Sequence, residues 1–121
     1  MWWQGHKDSG NKAHASIYEE NMVRIIHSLQ KEFNAPNAKF IIATDDFDDM
    51  AMKGTMLQIC NAQLYVSGDS GRYPEFQGKV RTVDTQKSWR ASIPSGHHHY
   101  GLHAEAFMET GVAMGLAMAN G

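Results

Sequence analysis

Apolar residues recur at helical spacing in three stretches of the chain and run without interruption in a short one between them. Over 14–33, Tyr18, Met22, Ile25, Ile26, Leu29 and Phe33 fall three and four residues apart, which predicts a helix with one apolar face. Ser16 followed by Glu19 has the spacing of a reciprocal N-terminal cap, and Pro36 disfavours helical geometry at Ala35, so the pattern predicts both ends. The run "AKFIIAT" over 38–44 is continuous and apolar between a turn and an acidic loop, as in a strand buried on both faces of a parallel sheet. Helical spacing returns over 50–66 through Met52, Met56, Ile59, Gln63 and Val66, widened by Leu57, Cys60 and Leu64. The segment "SGDSGRYPEFQG" is rich in turn formers and reads as a loop, and "KVRTVDT" over 79–85 reads as a second strand. A last helix is predicted over 103–119, with Phe107, Met114 and Met118 on one side. Ala104, Gly111 and Gly115 form a strip of small residues that would let the helix backbone approach a sheet.

Helix, strand, helix, strand, helix is the order expected of an α/β fold, a parallel sheet with flanking helices in three layers, because parallel neighbours need crossover connections. The 121 residues suit one domain, 1–121. Only two strands are placed, and "MWWQG" is at most the tail of a third, whereas parallel sheets ordinarily have several strands with both faces covered. The chain therefore reads as the second half of a larger sheet. Its open edge predicts association, either with a missing N-terminal half or as a homo-oligomer.

Composition narrows the function classes. With 42% hydrophobic and 20% charged residues and a formal net charge of -2, the chain has the balance of an ordinary globular protein. Its lysines and arginines are scattered and form no basic stripe, which argues against nucleic acid as a partner. No apolar run reaches the roughly 18 to 20 residues that span a bilayer, and "MWWQGHKD" lacks the layout of a signal peptide, so the expectation is no membrane association and, as written, a cytoplasmic location. Cys60 is the single cysteine, which excludes an intrachain disulfide and a cysteine-based zinc site.

Candidate chemistry gathers in two loops at predicted strand ends, where open α/β sheets bind ligands: "WWQGHKD" and "HHHYGLHAE". The histidine run is internal and leads into a helix, unlike a terminal tag. Three readings stand for it: solvated loop histidines, a general base, and metal ligation. Metal is the poorest of them, since consecutive histidines on extended backbone point in alternating directions and no cysteine assists. The loop "DDFDDM" offers Asp45, Asp46, Asp48 and Asp49, but it lacks the glycine turn and distal glutamate of a calcium loop and reads as solvated. No cofactor and no metal is implied.

Together the loops resemble those of a known family, the sialate O-acetylesterase-like and acetylxylan-esterase-like branch of the SGNH hydrolases. Its members carry W-x-Q-G at a strand end, then YE-x-N, AKF-x-x-AT, YPEF, VDT-x-x-x-WR, and HY followed by AE. Here these stand in order as Trp2-Trp3-Gln4-Gly5, Tyr18-Glu19-Glu20-Asn21, 38–44, Tyr73-Pro74-Glu75-Phe76, Val83-Asp84-Thr85 with Trp89-Arg90, and His99-Tyr100 with Ala104-Glu105. The resemblance covers nearly the whole chain. It implies the C-terminal half of a flavodoxin-like SGNH domain and hydrolysis of acetyl esters on carbohydrates.

By the same resemblance, His99 matches the general base that deprotonates a serine nucleophile, and Gln4 with the backbone N–H of Gly5 would face the oxyanion of the attacked ester. Many members have a glutamate directly after Q-G, where this chain has His6; Asp8, two residues on, is the candidate acid that orients the histidine. Asp84 is the runner-up, against its reading as a carboxylate that caps the following loop. The family's nucleophile lies in an N-terminal G-Q-S-N-M motif, and none of Ser9, Ser16, Ser28, Ser67, Ser70, Ser88, Ser92 and Ser95 occupies such a stretch. The expectation is an esterase half that is inactive alone, its intact parent exported. A non-catalytic α/β module that binds a ligand or partner is the alternative.

Overall fold

The computed structural model describes residues 1–45, 54–85 and 104–120. After a bridge at Trp2 come α1 (His6–Ser9), α2 (Lys12–Ser16), α3 (Tyr18–Glu32), β1 (Phe40–Ala43), α4 (Thr55–Val66), two 3-10 turns at Gly68–Ser70 and Pro74–Phe76, β2 (Val80–Val83) and α5 (Ala104–Asn120). The two strands pair in parallel, Phe40 opposite Val80 and Ala43 opposite Val83. On the other side of β1 the Trp2 N–H donates to the Ile41 carbonyl at 2.7 Å, and the Trp2 carbonyl accepts from the Ala43 N–H at 2.9 Å. Thus β1 is central, and the "WWQG" segment runs parallel beside it. The fold is α/β with a small parallel sheet, α4 being the crossover between its two strands.

Side chains alternate across a strand, so β1 feeds two cores. Ile42 enters one with Tyr18, Met22 and Ile26 of α3, Ile59, Ala62 and Val66 of α4, Phe76 and Val80. Ile41 and Ala43 enter the other with Met114 and Ala117 of α5, flanked by Trp3, Val83 and Met118. Both isoleucines are essentially inaccessible, and each contributes roughly 1.5–3 kcal/mol through burial. The continuous apolar run is explained by helices on both faces of its strand.

Three local expectations are corrected. The helix expected over 14–33 is two helices: the Asn11 side chain accepts from the Ala13 and His14 N–H groups and starts α2 early. Ile17, at φ -109 and ψ 4, then separates α2 from α3. Ser16 turns its hydroxyl back to the Ala13 carbonyl at 2.7 Å, so it caps nothing, and Glu19 is taken by Arg72 and Tyr73. The segment "GHKD", expected as loop, holds the single turn α1. On α5, a Cβ at Gly111 or Gly115 would meet no atom of another described element within 4 Å; the positions that pack on the sheet are instead Met114 and Ala117, both buried.

The connection from α4 to β2 is fastened to α3. Arg72 Nη1 contacts both Glu19 carboxylate oxygens, at 2.9 and 3.0 Å, its guanidinium lies 4.0 Å from the centre of the Tyr65 ring, and the Tyr73 hydroxyl donates to Glu19. Desolvation, then the bond to Glu19, pushes the Tyr73 phenol up to about 12. Gly68 lies so close to Phe76 that a Cβ would sit 2.4 Å from its carbonyl oxygen, which explains a glycine there. Among the described residues no helix is long and apolar enough to cross a membrane.

Candidate active site

Because the Trp2 segment, β1 and β2 run parallel, they end at one edge and bring Gln4-Gly5, Thr44-Asp45 and Asp84-Thr85 there together. The Gln4 carbonyl is held by two donors: the Tyr18 hydroxyl at 2.5 Å and Gln63 Nε2 at 3.2 Å. A trans peptide directs its N–H opposite to its C=O, so this clamp aims the Gly5 N–H away from α3 and α4. Gly5 is buried, and among the described residues its N–H makes no hydrogen bond. A Cβ on Gly5 would lie 2.3 Å from Asp45 Oδ2 and 2.8 Å from Ile59 Cγ2. Only glycine allows the turn to pass so close to α4.

Gln63 is the hub of this corner and is fully buried. Its Oε1 accepts from the Asp45 N–H at 2.8 Å, while Nε2 faces Tyr18 Oη at 3.1 Å and Asp45 Oδ2 at 3.3 Å as well as the Gln4 carbonyl. Burial pushes the Tyr18 phenol up to about 12, with the Gln63 bond acting in the opposite direction. The phenol therefore stays neutral and able to donate. At the neighbouring strand ends, the Thr85 N–H donates to Thr44 Oγ1 and Thr85 Oγ1 to the Thr44 carbonyl, both at 2.9 Å.

Of the residues singled out in the sequence, Gln4 and Asp8 are brought together, with Gln4 Nε2 donating to Asp8 Oδ2 at 3.1 Å. The other Asp8 oxygen lies 3.9 Å from His14 Nδ1. Asp84 is exposed at the end of β2 and accepts from Thr44 Oγ1 at 3.5 Å. His99 lies outside the described residues, as do Asp46, Asp48 and Asp49 of the acidic loop. Among the described residues no three of His, Cys, Asp and Glu form a metal-ligating cluster.

Two cavities flank Gln4. One, of about 220 Å³, lies toward α3 and is lined by Trp2, Gln4, Asp8, His14, Tyr18 and Asn21 among others. The second, of about 280 Å³, lies toward α5 between Trp3, Gly5, His6, Asp45 and Phe107. Trp3 and Phe107 meet edge to face there, their centroids 5.5 Å apart. Sequence reasoning missed Tyr18 and His14 as site residues, placed Gln63 only on an apolar stripe, and read Asp45 as part of a solvated loop, whereas it is buried against Gln63.

A family model described as carbohydrate esterase, sialic acid-specific acetylesterase, matches residues 1–120. The chain belongs to that family. The match bears out the sialate O-acetylesterase-like part of the resemblance read from the motifs, and a carbohydrate-esterase type of function with acetylated carbohydrate as substrate class goes with it. No curated protein and no solved structure matches the chain. The stretch Trp2-Trp3-Gln4-Gly5 is the clamped turn between the two cavities.

Proposed function

We propose that the chain is the C-terminal half of an SGNH-type carbohydrate O-acetylesterase, one domain over 1–121, which supplies the oxyanion-binding turn and the general base of a serine esterase. The observation that carries this reading is the N–H of the buried Gly5 at the sheet edge, which has no hydrogen-bond partner among the described residues while its peptide is clamped from behind. An ester carbonyl gains negative charge when attacked, and preorganised donors stabilise that charge at the least reorganisation cost. Gly5, with the Gln4 amide released from Asp8, fits the role.

In the intact enzyme a serine from the N-terminal half attacks the acetyl carbonyl. His99 takes the serine proton and returns it to the departing sugar oxygen, leaving an acetyl-serine. Water, deprotonated by His99, then attacks the acetyl-serine, releasing acetate and restoring the serine. Asp8 is the first candidate to orient His99 and Asp84 the second. Alone, the chain lacks the nucleophile and is inactive as an esterase, and it meets its substrate as part of an exported parent.

Co-expression with a GQSNM-bearing N-terminal half tests this with p-nitrophenyl acetate. The pair should hydrolyse the ester, and His99→Ala should lower the rate at least about a thousandfold, while His97→Ala and His98→Ala cost less than about tenfold. A pair indifferent to His99 would overturn the base assignment. Turnover by the chain alone that vanishes with a fluorophosphonate-labelled serine would show that a nucleophile lies within it.

A further inference from the structure

We propose that Tyr18 is a positioning residue of the esterase site, acting through the Gln4–Gly5 peptide to hold and polarise the Gly5 N–H as an oxyanion donor; this deepens the esterase reading above and rests on it. Tyr18 begins α3, and the break at Ile17 sets where it stands. Its ring is packed in the core with Met22, Ile26 and Ile59 and is 5% exposed, so the residue works from behind the turn. A phenol has one proton to donate, and here it goes to the Gln4 carbonyl, 2.5 Å from Oη. Gln63 Nε2 donates to the same Oη at 3.1 Å. Gln63 is itself oriented by its Oε1, which accepts from the Asp45 N–H at 2.8 Å. The direction of each bond in this chain of donors is thereby fixed.

Two effects reach Gly5 along that chain. One is geometric: the peptide is planar, so pinning the Gln4 oxygen pins the direction of the Gly5 N–H. The Ser9 N–H holds the Gly5 carbonyl from the other end, at 3.1 Å. The other is electronic. The amide is conjugated, so donors at its oxygen draw electron density from its nitrogen and leave the N–H a stronger donor. In such chains each bond strengthens the next by about 10–30%. The gain is largest when charge develops on the attacked carbonyl, because a hydrogen bond to an ionised oxygen is about twice as strong as one to a neutral oxygen. Tyr18 therefore acts on the transition state more than on the bound ester. Burial raises its phenol to about 12, so the proton is in place at neutral pH.

The full chain is labelled with ¹³C and ¹⁵N, and NMR follows the Gln4 carbonyl carbon and the Gly5 nitrogen in Tyr18→Phe and in a chain with 3-fluorotyrosine in place of Tyr18. Loss of the donor should move both signals upfield, by more than the corresponding signals of Ile42 and Val66 in the same core. The fluorinated phenol is a stronger donor of nearly equal size and should move them downfield, a reversal that altered packing alone does not produce. It also tests the proposal if Tyr18→Phe fails to fold. In the reconstituted pair, Tyr18→Phe should lower kcat about three- to tenfold with KM within about twofold, a part of the roughly hundredfold or more that an oxyanion donor supplies. Signals that move no more than those of Ile42 and Val66, or that move the same way in both variants, would overturn the proposal, as would a rise in KM at unchanged kcat. The signals are read in the chain by itself, which separates the two readings. A pair that hydrolyses no ester while the signals reverse sinks the esterase reading alone, and hydrolysis with an indifferent Gly5 sinks this inference alone.

Discussion

Gln63 shows at the scale of single residues how much of the site was open to reading. In the sequence it is a polar residue at a position where the stripe Ile59, Gln63, Val66 calls for an apolar one, and such a residue is buried only if its hydrogen bonds are met. Its partners are Gln4, Tyr18 and Asp45, distant in sequence, and periodicity carries no information about such contacts. Tyr18 yields a prediction from the same corner. Burial raises its phenol from the ordinary 10.0 to about 12, so the unfolded chain ionises first as pH climbs. Stability is then unaffected by this group below about pH 10 and falls as pH rises from about 10 to 12, by roughly 2–3 kcal/mol for two units. Urea titrations across that range should show the fall, and Tyr18→Phe should flatten it while lowering stability at neutral pH by about 1–3 kcal/mol, since the Gln4 carbonyl and Gln63 lose a partner. An equally steep alkaline decline in Tyr18→Phe would mean that other groups, Tyr73 among them, produce it.

Among the elements, those with strong periodicity were legible and their ends were not. Helices α3, α4 and α5 and strands β1 and β2 lie where the pattern predicts them, because each buries a face that the sequence marks. The start of the first helix was misjudged because two capping residues compete within six positions, and Asn11 wins with two backbone N–H groups in reach of its side chain. Asn11→Ala should therefore cost about 1 kcal/mol and Ser16→Ala much less, measured as shifts in the urea midpoint at unchanged slope. The reverse order would favour the capping box inferred from the sequence. The Trp2 segment escaped a firm strand assignment for another reason: it forms one bridge to Ile42, too short for any alternation to register.

For the whole molecule, the sheet among the described residues has β1 in its centre, β2 on one side and only the Trp2 bridge on the other. Several large apolar side chains remain in solvent: Phe33 at 73% exposure, Met108 at 69%, Val112 at 60% and Leu116 at 57%. Met108, Val112 and Leu116 are spaced by four and share one face of α5, opposite the face that carries Met114 and Ala117 into the core. Isolated exposed apolar residues are ordinary, but a helical stripe of them beside an incompletely paired sheet favours association. In light scattering the chain alone should exceed the mass of its 13.5 kDa monomer, in a concentration-dependent way. Val112→Lys with Leu116→Glu should reduce that association without lowering the thermal midpoint, since neither side chain is in a core cluster. If the double variant associates as strongly as the parent, the open edge beside Trp2 is the contact, and adding the N-terminal half should then abolish it. A monodisperse monomer that unfolds in one cooperative step would refute the half-domain reading, because a sheet cut at its middle leaves strand groups and apolar surface that demand a partner.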